Sequence, residues 1–274
     1  MIKKRKINYN NIIITIVLIA SFTLFIYSII NIFAWYKDSK KTTYQVKKIT
    51  STIEVKDIKP TKIDEEIINP PKDEKNPYWD YIKTNLIDVD FNKLKSINSD
   101  TAGWIQVNGT NINYPFVQTS DNKYYLKHSF DKSYNQAGWV FLDYRNNIND
   151  LGKNTILYAH GRIDKTMFGS LKNLLSSNWY NDNKNHIIKL STEKSNSLWQ
   201  VFSVYHIPTT NDYIQTTFKS NDEFYIFINK LYKRSVYNFN VELNQNDKIL
   251  TLSTCYNDKE KVVMHAKLIR IQNK

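Results

Sequence analysis

The hydrophobic pattern of the chain begins with one long apolar block near the N-terminus. Residues 12–35 contain no charged side chain, a basic cluster occupies residues 3–6, and the next charged residue is Lys37. A helix needs about 20 apolar residues to cross a bilayer, whereas the apolar region of a cleavable signal peptide is only about 7–15 residues long. The pattern therefore predicts a transmembrane signal-anchor helix over residues 12–36. The positive-inside rule places the basic residues 1–11 in the cytoplasm and the bulk of the chain outside it.

Polar residues and charges of both signs dominate residues 37–76, where Lys59-Pro60 and Asn69-Pro-Pro-Lys72 interrupt any regular element. This composition predicts an extracytoplasmic stalk that is mostly without fixed structure. Apolar periodicity resumes at Pro77, so residues 77–274 are predicted to form one folded domain. Helical spacing of the apolar residues predicts two short helices at its start, over residues 77–87 and 90–97.

Short apolar runs separated by turn residues dominate the chain after residue 100. Residues 103–107 and 110–114 flank Asn108-Gly109, and an Asn-Gly pair between such runs predicts a β-hairpin. A four-residue apolar face predicts a helix over residues 222–232, and a shorter helix is predicted over residues 166–175. The domain is therefore predicted to be mainly β, as a closed barrel or a sandwich. The other predicted strands are residues 138–142, 154–158, 187–190, 198–205, 248–254 and 262–271.

The charge of the chain is strongly positive, with 38 Lys and Arg against 26 Asp and Glu and a formal net charge of +12. No glycine-rich phosphate loop, zinc-ligand spacing or RNA-binding aromatic motif accompanies this charge. The sequence therefore predicts no nucleic-acid partner, no metal and no cofactor. The lysines near the N-terminus favour contact with anionic membrane lipid instead.

A single cysteine, Cys255, ends the strand-like run Ile249-Leu-Thr-Leu-Ser-Thr-Cys255. One cysteine cannot form a disulfide within the chain, and a lone thiol with a histidine elsewhere is a candidate nucleophile and base pair. Among the five histidines, His160 ends a predicted strand and precedes Gly161, so its side chain can project at a strand-to-loop junction. The alternative is that Cys255 is a small buried apolar residue.

Several motifs, in order along the chain, resemble the sortases, and class B specifically. Thr251-Leu-Ser-Thr-Cys255 is similar to the segment that ends in the sortase nucleophile, and Tyr158-Ala-His160-Gly161 to the segment that carries the sortase histidine. Five further segments extend the resemblance over residues 79–271. They are Thr166-Met-Phe168, Gly103-Trp-Ile-Gln-Val107, Tyr114-Pro-Phe-Val-Gln118, Asp121-Asn-Lys-Tyr-Tyr-Leu126 and Gly138-Trp-Val-Phe-Leu-Asp-Tyr-Arg-Asn146.

The resemblance implies an eight-stranded sortase-type β-barrel with N-terminal helices and a helix before the penultimate strand. It implies a membrane-anchored cysteine transpeptidase whose Cys255 cleaves a C-terminal sorting signal of the LPXTG or NPQTN type after Thr. The thioacyl enzyme would then be resolved by a peptidoglycan amine. The implied partners are thus secreted proteins with a sorting signal and a cell-wall amine, at the outer face of the membrane.

The resemblance also implies a third catalytic group and a substrate groove. Class B sortases carry an arginine just before the apolar run that is Val262-Val-Met264 here, but this chain has Lys261 at that place. By its place in the resemblance Lys261 is the first candidate, and Arg270 is its rival. Strand alternation puts residues 261, 263 and 265 on one face and Arg270 on the other, although a bulge could restore Arg270 to the first face. The residues implied to line the groove are Asn122, Leu126, Tyr213, Ile214, Ser253 and Thr254.

Two other functions are compatible with parts of the sequence. A non-catalytic, membrane-tethered wall-binding module would bury Cys255 and keep its function after Cys255→Ala. A pilin-polymerising sortase resembles class C and usually carries a lid segment, and residues 37–76 contain no clear lid motif.

Overall fold

The computed structural model of the chain describes residues 9–60, 65–255 and 259–274, and for Glu65 and Cys255 it describes the backbone alone. The basic cluster at residues 3–6 lies outside the described residues. The chain divides into two compact units between Lys41 and Thr42. The strands are β1 (Val55–Ile58), β2 (Glu65–Ile67), β3 (Leu86–Val89), β4 (Thr101–Val107), β5 (Asn113–Val117), β6 (Phe141–Leu142), β7 (Asn154–His160), β8 (Ile187–Ser191), β9 (Ser195–Pro208), β10 (Ile249–Cys255) and β11 (Glu260–Asn273).

Helices connect and flank these strands. The helix predicted over residues 222–232 is confirmed by α5, whereas the one predicted over residues 166–175 is a 3-10 helix that begins three residues later. The α-helices are α1 (Tyr9–Thr52), α2 (Tyr78–Tyr81), α3 (Phe91–Ile97), α4 (Ser177–Tyr180) and α5 (Asn221–Lys233), and the 3-10 helices are Tyr124–Leu126, Gly169–Leu175 and Asn183–Asn185.

The first unit contains most of α1, whose apolar side chains are exposed. The helix is long and apolar enough to cross a membrane, and none of its most apolar 18-residue window is buried inside the protein. Residues 12–35 extend about 36 Å at 1.5 Å per residue, against a hydrocarbon core about 30 Å thick. The predicted N-terminal helix is therefore present, and its length suits a bilayer.

The prediction of an unstructured stalk over residues 37–76 is wrong. α1 continues to Thr52, and Ile49 and Ile53 join the core of the second unit. β1 then pairs with β3, and β2 pairs with the end of β11. Isolated apolar residues of this segment, such as Ile49 and Ile53, pack against the core, which a composition rich in lysine and other polar residues conceals. The folded unit thus begins at Thr42 rather than at Pro77.

The two predicted N-terminal helices fare differently. α3 confirms the helix over residues 90–97, and Asp90 caps it by accepting a hydrogen bond from the Asn92 N–H. The helix predicted over residues 77–87 is too long, because α2 ends at Tyr81 and Leu86 begins β3. Pairing with β1 draws that segment into a strand despite its helical spacing.

Eight strands close into the predicted barrel. Their order is β10–β7–β6–β5–β4–β8–β9–β11, and β11 pairs again with β10 to complete the ring. The hairpin predicted around Asn108-Gly109 is formed by β4 and β5, and α5 precedes the penultimate strand β10. The strand predicted over residues 138–142 is only the two-residue β6. One pairing with β5 and two with β7 are enough for β6 to connect these two strands in the sheet.

A buried polar network joins the barrel to the loop between β9 and α5, residues 209–220. The Asn154 amide nitrogen donates to the carbonyls of Tyr213 and Gln215, at 3.4 and 2.9 Å. Because a carbonyl can only accept, this contact fixes the orientation of the Asn154 side chain. Its oxygen consequently faces Thr251, whose hydroxyl donates to it at 2.7 Å.

The same network fixes the state of a fully buried histidine. The Thr251 hydroxyl has given its hydrogen to Asn154, so it accepts from Nδ1 of His265 at 2.9 Å. Nε2 of His265 therefore accepts from the Tyr205 hydroxyl at 2.8 Å. Burial, and secondarily the charge of Arg234, lowers the pKa of His265 to about 3. His265 is thus a neutral connector between strands and loop.

We expect Ile49→Ala to lower the melting temperature of the full-length protein clearly, because truncating a buried isoleucine costs about 2–5 kcal/mol. The matched control is Ile32→Ala in the same helix, where the side chain is 64% exposed. Thermal unfolding in detergent checks the difference. Equal melting temperatures for the two variants would indicate that the segment around Ile49 is an unfolded stalk and not part of the folded unit.

We expect His265 to make stability depend on pH below about 6.5. Its pKa is lower in the folded protein, so the unfolded chain takes up the proton first and stability falls as pH drops from about 6.5 towards 3, by at most about 1.4 kcal/mol per pH unit. Denaturant unfolding at several pH values measures this slope, which His265→Asn should reduce and the exposed-site control His206→Asn should not. A slope unchanged in His265→Asn would contradict the assignment.

Candidate active site

Three predicted catalytic residues meet at one end of the barrel. β7 and β10 are parallel neighbours, and their register aligns His160 with Cys255, the last residue of each strand. β11 begins beside β10 in the opposite direction, and there Lys261 aligns with Cys255. Neighbouring strands lie about 4.8 Å apart, so the backbones of the three residues are adjacent. The Cys255 side chain lies outside what the structure describes.

His160 has a defined hydrogen-bond partner on one ring nitrogen. Its half-buried imidazole donates from Nε2 to the backbone carbonyl of Leu126 at 2.8 Å. Because the carbonyl only accepts, Nε2 keeps its hydrogen, and Nδ1 is the nitrogen that takes up or releases a proton. The contact also fixes the orientation of the ring relative to Leu126, which is itself a predicted groove residue.

All six residues predicted to bind substrate line one cavity of about 300 Å³, together with Lys261. Asn122 and Leu126 form what we call the first wall, and residues 209–214 form the second wall. β7, β10 and the start of β11 lie between them. Sequence reasoning missed Phe141, Tyr158, Ala159, Thr209, Thr210 and Asn211, which also line the cavity.

The signals for the missed residues differ. Tyr158 precedes His160 by two positions on β7, so strand alternation could have placed both on the same side of the sheet. Thr209, Thr210 and Asn211 lie in a loop with no periodic pattern, and only the path of the chain between β9 and α5 brings them to the cavity.

Arg270, the rival to Lys261, does not belong to this site. It pairs in register with Ile67 and lies nine positions beyond Lys261, about 30 Å along a strand at about 3.3 Å per residue. Its buried guanidinium donates to the carbonyls of Ile82 and Thr84, the latter at 2.6 Å. Arg270 therefore joins the segment after α2 to the barrel.

Side chains hold four consecutive backbone carbonyls of the β9–α5 loop. The Tyr213 hydroxyl also shares a 2.9 Å hydrogen bond with Ser253 Oγ, two residues before Cys255. The second wall is thus fixed before any peptide arrives. The contacts are Lys230 to the carbonyl of Asp212 at 2.9 Å, Asn154 to Tyr213 at 3.4 Å, Arg145 to Ile214 at 2.9 Å and Asn154 to Gln215 at 2.9 Å.

A buried carboxylate, Asp143, connects the first wall with β7. It accepts from Nδ2 of Asn122 at 3.1 Å, from the Tyr158 hydroxyl at 2.8 Å and from Nη2 of Arg145 at 2.7 Å. Burial acts to raise the pKa of Asp143, but the hydrogen bonds from Arg145 and Tyr158 hold it below its usual range. Burial, and then the charge of Asp143, raises the pKa of Tyr158, so the phenol stays protonated and donates.

The arrangement of these residues suits nucleophilic acyl transfer. The strand register places a cysteine next to a histidine with one ring nitrogen available for proton transfer and next to a lysine that lines the groove. Among residues 9–60, 65–255 and 259–274, no group of three or more His, Cys, Asp or Glu side chains could hold a metal ion.

Comparison with known proteins assigns the family. The sortase domain profile matches residues 105–269. Sortase B of Staphylococcus aureus is 37% identical over 185 residues, which are 66% of this chain and 75% of that protein. Sortase B of Listeria monocytogenes is 34% identical over 180 residues, which are 64% of this chain and 72% of that protein.

Solved structures agree with the sequence relatives. A Staphylococcus aureus sortase B–substrate complex superposes with a TM-score of 0.62 at 37% identity, covering 65% of this chain and 84% of that one. A Bacillus anthracis protein described as similar to sortase B superposes with a TM-score of 0.66 at 32% identity, covering 86% of this chain and 97% of that one. The match extends over more than half of the chain, through the strands that carry His160, Cys255 and Lys261, so this chain belongs to the sortase family and is a transpeptidase of the sortase B type.

Proposed function

We propose that this protein is a membrane-anchored transpeptidase that cleaves a C-terminal sorting signal after Thr and transfers the protein to a peptidoglycan amine. The observation that carries the proposal is the register of β7, β10 and β11, which aligns His160 and Cys255 with Lys261, a residue that lines the groove. The signal is of the LPXTG or NPQTN type. Relatives support both substrates, since one similar structure is a sortase B–substrate complex and another is sortase B complexed with triglycine, a peptide with a free amine.

The chemistry begins with the Cys255 thiolate. It attacks the carbonyl carbon of the threonine, forming a carbon–sulfur bond and a tetrahedral oxyanion. The oxyanion collapses and breaks the peptide bond, and the imidazolium of His160 gives its Nδ1 proton to the leaving amine. Neutral His160 then takes a proton from the incoming wall amine as that amine displaces the thiolate. The second step restores the starting thiolate and imidazolium, so one peptide bond is exchanged for another.

Lys261 supplies the positive charge for the oxyanion. Its half-buried side chain lines the groove, and its backbone is the register partner of Cys255. A lysine neutralises the developing charge as a point charge, whereas an arginine would also provide two parallel donors. The role therefore needs proximity and charge, both of which Lys261 has.

The membrane anchor is α1, over residues 12–36. Its uncharged stretch is long enough to cross the hydrocarbon core, and its large apolar side chains are exposed. With residues 1–11 in the cytoplasm, the folded unit would lie outside the cell, where secreted clients and cell-wall amines are found. Lysines at both ends of the helix would lie near anionic lipid headgroups.

We expect the full-length protein in detergent to cleave at least one sorting-signal peptide after Thr, and Cys255→Ala to abolish the cleavage because no nucleophile remains. Adding triglycine should convert the hydrolysis product into the ligated peptide. Mass spectrometry identifies both products. Cleavage that survives Cys255→Ala would refute the mechanism, and absence of both cleavage and binding of every signal would favour a wall-binding module with another ligand.

We expect Lys261→Gln to lower kcat/KM about 100-fold, since removing one oxyanion donor typically costs about 10²–10³ in rate. Lys261→Arg should retain most of the activity because it keeps the charge. The control is Lys259→Gln, two residues away at an exposed position, which removes an equal charge and should change kcat/KM little. Equal losses in both glutamine variants would indicate a general electrostatic effect rather than oxyanion stabilisation.

A further inference from the structure

We propose that Asp143 and Arg145 are positioning residues that clamp the two walls of the groove at the spacing required for peptide binding. Neither residue lines the cavity, so both would act through the side chains and backbone they hold. The part of this inference that concerns peptide binding rests on the proposed function. The clamp itself is a property of the folded chain and is testable without turnover.

Asp143 is the centre of the clamp. Its side chain has no solvent exposure, and its two carboxylate oxygens together accept hydrogen bonds from three side chains and from the backbone N–H of Arg145. Two of the donors, Asn122 and Tyr158, line the groove. A carboxylate is the suitable hub because it only accepts, and charge-assisted hydrogen bonds are the strong ones.

Arg145 carries the connection across to the second wall. Nε and Nη2 donate to the two oxygens of Asp143, at 2.9 and 2.7 Å. Nη2 also donates to the carbonyl of Ile214 at 2.9 Å, 69 positions along the chain. Only a planar guanidinium can bind a carboxylate with two donors and keep another N–H for a carbonyl. The chain of contacts from Asn122 through Asp143 and Arg145 to Ile214 therefore spans the groove.

The clamp also decides what the groove offers to a ligand. The Asn122 oxygen accepts from the Tyr144 N–H at 3.0 Å, and its amide nitrogen donates to Asp143. Tyr158 commits its only hydrogen to Asp143 as well. What remains is one amide N–H and one oxygen lone pair on Asn122, together with the acceptor lone pairs of the Tyr158 oxygen. A donor and an acceptor held side by side suit the C=O and N–H of a peptide backbone.

The clamp gives a reason for a charged pair whose carboxylate is fully buried and whose arginine side chain is 36% exposed. A buried ion pair adds little net stability compared with apolar residues of similar volume, because desolvating both charges offsets their attraction. Its geometry, however, is specific. The pair thus serves the spacing of the walls more than the stability of the barrel.

The experiment uses the full-length protein in detergent and compares Arg145→Lys with wild type. Lysine keeps the charge beside Asp143 but cannot reach both Asp143 and the Ile214 carbonyl. We expect amide hydrogen exchange to accelerate in the segments that carry the two walls, residues 119–126 and 209–216, while β10 and β11 keep their protection. With a cleaved sorting-signal peptide, KM should rise about 10-fold, which corresponds to about 1.4 kcal/mol, and kcat should change less than about twofold. Asp143→Asn should give the same pattern.

Two controls separate positioning from a general loss of structure. Arg234→Lys alters the other arginine that binds the β9–α5 loop, through Asp212, and should accelerate exchange in the second wall alone. The rate of Cys255 alkylation by iodoacetamide should be the same in wild type and in Arg145→Lys. Unchanged exchange in the first wall, or equal loss of KM, kcat, alkylation and melting temperature, would overturn the proposal. If wild type cleaves no peptide, the proposed function fails, and the exchange measurement alone still decides whether the clamp exists.

Discussion

The parallel pairing of β7 with β10 is the constraint on which the site depends. Parallel neighbours end at the same edge of a sheet, so the pair delivers His160 and Cys255 together although residues 161–248 separate the two strands. A parallel connection needs a long crossover, and this one supplies β8, β9 and α5. The segment that completes the barrel therefore also provides the second wall of the groove. Fold and site are products of the same long-range contact, and neither can form without closing a large loop.

The face of β10 and β11 beneath the β9–α5 loop is polar where an apolar core would be simpler. Thr251, Ser253 and His265 form hydrogen bonds with Asn154, Tyr213 and Tyr205, and Thr251 and His265 also bond each other. Such a network tolerates few alternative arrangements, because a buried polar group without its partner is costly. An apolar interface would allow the loop to slide. The polar interface fixes the loop at one position next to the end of β10.

Sequence patterns predicted the site where chemistry coincides with strand ends. The sequence indicates Cys255 and His160 as candidates because each ends an apolar run, and the register of β7 and β10 brings their backbones together. Strand alternation alone does not separate Lys261 from Arg270, since β11 has register shifts after His265 and after Leu268. The distance along β11 does separate them, since nine residues place Arg270 about 30 Å from Lys261. Asp143 and Arg145 stand two residues apart in a segment whose composition is typical of a surface turn, and nothing local indicates Ile214 as a third partner.

Three arginines of the folded unit are each committed to a structural contact. Arg145 binds Asp143, Arg162 binds Asp164, and Arg270 donates to carbonyls at the far end of β11. Each guanidinium uses its planar set of N–H donors for a structural contact, and a lysine ammonium could not reproduce that geometry. Stabilising an oxyanion requires only a cation close to the developing negative charge, without a planar set of donors. Under the proposed function, the chain uses arginine where geometry must be held and Lys261 where charge must be present.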